Sequence, residues 1–301
     1  MALGDKVLVA TDLSESADEA IRQGHVIAGE AGGKLVVCHV VHEATRYAPL
    51  FPQRLQAETE TLIAVERQAA NAVEQRVSAV TGRSLDAPES FEVNITTGSA
   101  DAEILRVAEE VGATLIVTGS RGLTGIRRML LGNVAERIVR YAHCPVLVVR
   151  KHEPTNRILA PTDLSERATP AVDLAAQIAQ RRGGTLVVMH SLDIVPRPAF
   201  GFTVPFGGLP VIPPPEVVTQ ARTGAEEVLT GMLERLGAKG ERRVVEGDAA
   251  TSIIQMADET GTDLVVVSTH GRTGLARVAL GSVAEKVVRG AHCSVLVVRS
   301  H

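Results

Sequence analysis

The chain carries one pattern written twice. Residues 117–150 read VTGSRGLTGIRRMLLGNVAERIVRYAHCPVLVVR, and residues 266–299 read VVSTHGRTGLARVALGSVAEKVVRGAHCSVLVVR. The two stretches agree at 20 of 34 positions without a gap, which marks duplication rather than chance. Upstream, VLVATDLSE from Val7 to Glu15 returns as ILAPTDLSE from Ile158 to Glu166. GGKLVVCHV from Gly32 likewise returns as GGTLVVMHS from Gly183. Half of a 301-residue chain is an ordinary domain, able to bury a core without disulfides or metals. The expected boundaries are 1–151 and 152–301. Between them Lys151 to Asn156, short, charged and containing Pro154, leaves little room for independent tumbling. Such a tether favours packing of the copies about a pseudo-twofold axis.

Each copy opens with an apolar run, Lys6 to Ala10 and Arg157 to Ala160, that reads as a buried strand. Asp-Leu-Ser-Glu follows, with Ser14 or Ser165 placed to cap a helix running to the glycine pair at 32–33 or 183–184. A second strand spans Leu35 to Val41 and Leu186 to His190. The copies then diverge: the first has a long helix from about Ala57 to Thr81, whereas Arg197 to Pro215 in the second is too rich in Pro and Gly for regular structure. A third strand (Phe91 to Thr96; Arg243 to Glu246) precedes a helix (Ser99 to Val111; Ala250 to Thr260). A fourth strand (Thr114 to Thr118; Asp263 to Ser268) ends in a glycine-rich loop. A last helix leads to a fifth strand, Pro145 to Arg150 and Ser294 to Arg299. Strands alternating with helices predict right-handed crossovers and a parallel sheet, a doubly wound α/β domain in each copy. Aromatic residues make up only 2% of the chain, with no Trp. The core is therefore aliphatic, as suits buried parallel strands with helices on both faces.

A net charge of −4 excludes a global basic field, so nucleic acid is not expected as a partner. Neither a signal-peptide segment nor an 18-residue apolar span is present, so the expectation is a soluble, cytoplasmic chain with no membrane partner. Cys38, Cys144 and Cys293 are too few for a disulfide framework and read as buried free thiols.

The chemistry gathers after the fourth strand. The first copy has Gly119-Ser120-Arg121-Gly122, nine residues, then Gly132-Asn133-Val134; the second has Ser268-Thr269-His270-Gly271, nine residues, then Gly281-Ser282-Val283. Open α/β sheets bind ligands at the carboxyl ends of their strands where the strand order reverses. Glycines let the main chain approach an anion and expose successive N–H groups. The helix that follows offers its positive end to a phosphate, with Asn133 and Ser282 as its expected caps. A plain strand-to-helix turn is the simpler reading of a lone Gly-x-x-Gly. It weakens here because the loop recurs, each time before a helix start and each time with an acid after strand one. That acid, Asp12 or Asp163, either reaches the sugar or base of a nucleotide or helps Ser14 or Ser165 cap the first helix; the sequence leaves both open.

At this point the whole chain resembles a tandem universal stress protein of the UspA superfamily, in its ATP-binding branch. The resemblance rests on the Gly-x2-Gly-x9-Gly-Ser/Thr signature, the Thr-Asp-Leu-Ser-Glu opening and the Pro-Val-Leu-Val-Val ending. It implies Rossmann-like domains with strand order 3-2-1-4-5, adenine near strands one and two, and phosphates on the glycine loop. Carried over residue by residue, the implied first site is Ala10, Thr11, Asp12, Val40, Gly119, Gly122, Gly132, Asn133 and Val134. The implied second site is Pro161, Thr162, Asp163, Ser191, Ser268, Gly271, Gly281, Ser282 and Val283. It further implies pairing of Val146 to Val149 with Val295 to Val298 across the internal twofold, and a homodimer of tandem chains with an unidentified protein client. Neither copy matches the signature fully. Asn133 stands where Ser or Thr is usual, a mild change, and Ser268 replaces the first glycine. If that position requires a positive φ or close phosphate approach, Ser268 weakens the second site. Both sites are expected to bind ATP, the first more tightly.

Arg121, Arg127, Arg128, His270, Arg272 and Arg277 make the loops basic; Arg121 is counted with the first site as a phosphate contact, though solvated turn arginines are the commoner case. His39 and His190 recur without a carboxylate or Cys at ligand spacing, so no metal site is expected. His143-Cys144 and His292-Cys293 are not a catalytic pair, since neighbours on a strand face opposite ways. The segment Phe200 to Pro215 reads as a lid, an apolar arm or a loop. No catalytic residue is assigned. No Lys follows the glycines as in a Walker loop, any hydrolysis should be slow, and Mg²⁺ would enter with the triphosphate. The leading reading is an ATP-binding stress-response protein with a regulatory or protective role. The rivals are a protein-interaction module with vestigial pockets and a slow ATP-hydrolysing enzyme. Adenylylating relatives carry a Ser-Gly-Gly-x-Asp-Ser loop after strand one, which Thr-Asp-Leu-Ser-Glu does not match.

Overall fold

The computed structural model describes residues 3–41, 55–82, 91–120, 131–152, 155–193, 214–269 and 280–299, without the side chains of 55–62. Two compact units divide the chain, Met1–Lys151 and His152–His301. In the first unit the order is β1 (Lys6–Thr11), α1 (Glu15–Ala31), β2 (Lys34–Val41), α2 (Leu55–Thr81), β3 (Glu92–Thr97), α3 (Ala100–Val111), β4 (Leu115–Gly119), α4 (Asn133–Tyr141) and β5 (Val146–Val149). In the second it is β6 (Arg157–Pro161), α5 (Thr169–Arg182), β7 (Thr185–Leu192), α6 (Pro215–Arg235), β8 (Glu241–Glu246), α7 (Ala249–Thr260), β9 (Leu264–Ser268), α8 (Ser282–Gly290) and β10 (Ser294–Val298).

Each unit is a parallel sheet. The first runs β3-β2-β1-β4-β5 and the second β8-β7-β6-β9-β10, so both show the order 3-2-1-4-5 in their own strand count. Val7, Leu8 and Val9 of β1 and Ile158, Leu159 and Ala160 of β6 are buried, because the central strand has neighbours on both edges and helices on both faces. α1 and α2 contact one another, as do α3 and α4, and both pairs reach β2. Right-handed crossovers put these pairs on opposite faces once the winding turns back between β3 and β4. Among the described residues no helix is long and apolar enough to cross a membrane.

Several local expectations are corrected. The first helix of the second unit is not continuous. A short 3-10 turn, Glu166–Ala168, comes first, and α5 starts only at Thr169, with Pro170 in its first turn. Proline has no N–H to give the carbonyl one turn back, so the α-helix restarts at a position where that loss is harmless. Ser14 and Ser165 do occupy N-cap positions, yet neither caps through its side chain. Their hydroxyls instead donate to Asp12 Oδ1 at 2.5 Å and Asp163 Oδ1 at 2.6 Å. The glycine pair closes α1 as expected: Gly32 is left-handed at φ 62°, and Gly33 N–H donates to Ala28 O. His143 and Cys144 precede β5 rather than lying on it; His143 Nε2 bonds Ala113 O while Cys144 is buried.

Two polar anchors distinguish the units. In the first, Arg76 of α2 grips Asp18 of α1 through two bonds of 2.6 and 2.8 Å. In the second, buried Asp263 accepts from Thr155 N at 2.7 Å, Thr155 Oγ1 at 2.6 Å and Asn156 N at 2.5 Å. That carboxylate folds the segment before β6 onto the start of β9. Thr114 stands in its place in the first unit, exchanging bonds with the Lys6 backbone. Asp263→Ala should cost the second unit about 2–3 kcal/mol, since three donors lose a buried acceptor; urea denaturation of the full chain measures it. Burial pushes the Cys38 thiol up to about 12, with Glu103 adding to the rise and Arg106 opposing it. Cys38 should therefore resist iodoacetamide at pH 8 in the folded protein and react only on unfolding, as peptide mass mapping would register.

Candidate functional site

The end of the central strand is built the same way in both units. Thr11 Oγ1 accepts from Leu13 N at 3.1 Å, and Asp12 Oδ1 accepts from Ser14 N at 3.1 Å. Thr162 Oγ1 accepts from Leu164 N at 3.1 Å, and Asp163 Oδ1 from Ser165 N at 3.0 Å. These bonds hold the two leucines in the left-handed region, Leu13 at φ 63° and Leu164 at φ 65°. A branched side chain rarely takes that conformation, and its recurrence marks a turn maintained at a local cost. Asp12 and Asp163 thus join the turn through one oxygen while also lining a cavity.

That cavity lies over the carboxyl ends of the middle strands. In the first unit it encloses about 330 Å³ and is walled by Ala10, Thr11, Asp12, Val40, Thr118, Gly119, Gly132, Asn133 and Val134, with Ala17, Ala100, Ile104 and Ala135. In the second it encloses about 290 Å³ and takes in Pro161, Thr162, Asp163, Ser191, Ser268, Gly281, Ser282 and Val283, with Ala168, Met189, His190, Ala249, Ile253, Thr269 and Ala284 among its walls. The structure brings together every described residue that the family resemblance implied. Arg121, Gly122 and Gly271 lie outside the described residues, as do Arg127, Arg128, His270, Arg272, Arg277 and residues 194–213.

The helix starts differ from expectation. Gly132 and Gly281, not Asn133 and Ser282, are the N-caps, both extended, at φ −67° and φ −60°. Their carbonyls accept from Glu136 N and Glu285 N at 2.9 Å, which puts Asn133 and Ser282 inside the first turn. A glycine cap offers no side chain to the first N–H groups, and the residues carrying those groups line the cavity. Each cap also donates its own N–H to the strand end, Gly132 to Ser120 O at 2.9 Å and Gly281 to Thr269 O at 2.8 Å.

The first-glycine position needs no unusual backbone. Gly119 closes β4 opposite Val149, and Ser268 closes β9 opposite Val298, both as strand residues. The concern that Ser268 is strained by a positive φ is therefore removed. What the serine adds is a side chain in the cavity wall, its Oγ donating to Arg167 O at 3.3 Å.

Some wall residues escaped the sequence reading. Ala100 and Ile104, one turn apart on α3, form an apolar wall that Ala249 and Ile253 repeat on α7. Their recurrence in both copies was the available signal. His39 Nδ1 meets Thr11 O at 2.9 Å, and His190 Nδ1 meets Thr162 O at 2.8 Å, tying the second strand's end to the first's. Among the described residues no three His, Cys, Asp or Glu side chains are grouped to hold a metal ion.

The sequence model of the Universal stress protein family matches residues 4–150 and again residues 154–299. The chain belongs to the universal stress protein family. A universal stress protein of Mycolicibacterium smegmatis is 28% identical over 304 residues, covering 97% of this chain and 96% of its own. Universal stress protein MJ0531 of Methanocaldococcus jannaschii is 34% identical over 147 residues, 48% of this chain and 81% of its own. The crystal structure of a universal stress protein from Archaeoglobus fulgidus is similar in fold, with a TM-score of 0.61 at 19% identity over 99% of this chain and 97% of that one. The tandem universal stress protein arrangement thus spans the whole length.

A Cβ on Gly281 would stand 2.9 Å from the Thr269 carbonyl oxygen. Gly281→Ala should shift the start of α8 and destabilise the second unit by about 1–3 kcal/mol, measurable as an earlier urea midpoint for that unit.

Proposed function

We propose that residues 1–151 and 152–301 are two universal stress protein domains, each binding ATP in the cavity at the end of its central strand. Nucleotide occupancy then serves a regulatory or protective role. The observation that carries this reading is the pairing, twice in one chain, of a helix start without a side-chain cap and an apolar wall across one cavity. The amino end of α4 or α8 attracts phosphate through its N–H groups and dipole. Across β1, about two strand spacings or 10 Å away, Val40 with Ala100 and Ile104, or Ser191 with Ala249 and Ile253, suits a base. Asp12 and Asp163 lie between, within the stretch a ribose would cross. Volumes near 300 Å³ fall at the lower end of small-molecule sites. Mg²⁺ is carried in on the triphosphate.

The first site is the tighter. The case rests on Ser268, whose side chain occupies wall space that Gly119 leaves open. Among the described residues of either cavity no general base stands beside a Walker-type lysine, so turnover should fall well below about 1 s⁻¹, the lower end of ordinary enzymes. Isothermal titration of the full chain should show two ATP sites of unequal affinity, and Gly281→Ala should abolish the weaker. Loss of the tighter site in that variant would reverse the ranking, and no heat with Mg-ATP would favour an interaction module with vestigial pockets.

A further inference from the structure

The walls of the two cavities differ at the end where the base is proposed to lie. Val40 is the penultimate residue of β2, and Ser191 is the penultimate residue of β7. Both line their cavities, beside Ile104 in one and Ile253 in the other. The neighbouring turn is conserved between the units: Gly98 N–H donates to Val41 O at 3.2 Å, and Gly247 N–H donates to Leu192 O at 3.0 Å. In the second unit that turn's carbonyl also takes a side-chain bond, Ser191 Oγ donating to Gly247 O at 2.7 Å. Val40 has nothing to donate.

A serine hydroxyl has one proton and two acceptor lone pairs. With its proton committed to Gly247, Ser191 meets the cavity as an acceptor. An acceptor in a largely apolar wall rewards a ligand N–H and penalises a ligand carbonyl, because two facing lone pairs remain unpaired. Purines differ in this respect at position 6, where adenine carries an amino donor and hypoxanthine or guanine a keto acceptor. His39 and His190 hold the same backbone contact through Nδ1, but His190 also lines the second cavity while His39 is not among the described lining of the first, so exchanging Ser191 and Val40 is what separates the serine's effect from the histidine's.

We propose that Ser191 makes the second site selective for 6-aminopurine nucleotides, whereas the first site, with Val40, accepts amino and keto purines alike. This rests on the nucleotide reading given above and adds a division of specificity within one chain. Ser191 is a specificity-determining residue, and its geometry can be transplanted because Gly98 stands beside Val40 as Gly247 stands beside Ser191.

The test is calorimetric titration of the full chain, as wild type, Ser191→Val and Val40→Ser, with ATP and separately with ITP, which differs from ATP only in its base, a 6-keto purine. In the wild type, one site should bind ITP roughly tenfold more weakly than ATP, while the other shows a ratio near one. Ser191→Val should bring both ratios near one, and Val40→Ser should raise the second ratio, creating discrimination at the first site. Equal ratios at both wild-type sites, or a ratio unmoved by Ser191→Val, would overturn the inference and leave the ATP reading standing. Absence of any ATP heat in the wild type would overturn both. Should Ser191→Val fail to fold, the gain of discrimination in Val40→Ser still decides the matter: its absence counts against the proposal.

Discussion

A parallel sheet that grows first to one side of its central strand and then to the other must leave a crevice where the winding turns back. Everything of interest in this chain hangs on that constraint. The crossovers through α1 and α2 lead away from β1 on one side, and those through α3 and α4 return on the other, so among the described residues the carboxyl end of β1 opens into the cavity. β6 is in the same position in the second unit. The turn leaving that strand must drop clear of the crevice within a few residues. Leu13 and Leu164 accept a left-handed backbone to achieve it, held by Thr11 and Asp12 or by Thr162 and Asp163.

The same constraint explains why the helix after β4 begins with glycine. Gly132 and Gly281 must bond back to the strand end and still start a helix facing the crevice. In the second unit a Cβ would collide with the Thr269 carbonyl. The result is a helix end whose first N–H groups lack a side-chain cap and whose residues line an open cavity. Local geometry and anion affinity thus have one origin.

The duplication allows the units to serve as controls for each other. Shared features, such as the left-handed leucine, the glycine cap and the histidine that ties adjacent strand ends, belong to the common architecture. Features found once among the described residues, such as Asp263 anchoring the segment before β6, the Arg76–Asp18 clamp, and Ser191 bonded to Gly247, are where the units have gone separate ways. Divergence at a cavity wall is the kind that alters which ligand is held.

Much of this was legible in the sequence. The apolar runs, their spacing and the repeated glycines are one-dimensional signals, and they determined the α/β class and the two units, while the strand order and most of the residues around each cavity followed from the family resemblance that these motifs carry. The sequence was less informative wherever one residue had two possible partners. Ser14 was equally suited to cap a helix or to donate to Asp12, and Asn133 to cap α4 or to lie inside it. Pro170 is plain in the sequence, but its consequence, a 3-10 turn before α5, depends on how the chain leaves β6. The lining contributed by Ala100, Ile104, Ala249 and Ile253, and the capture of the Ser191 proton by Gly247, required residues far apart in the chain to be brought side by side. Hydrophobic periodicity specifies which face of a strand or helix is buried, and so the fold; the competition among nearby donors and acceptors is decided only when packing sets their distances.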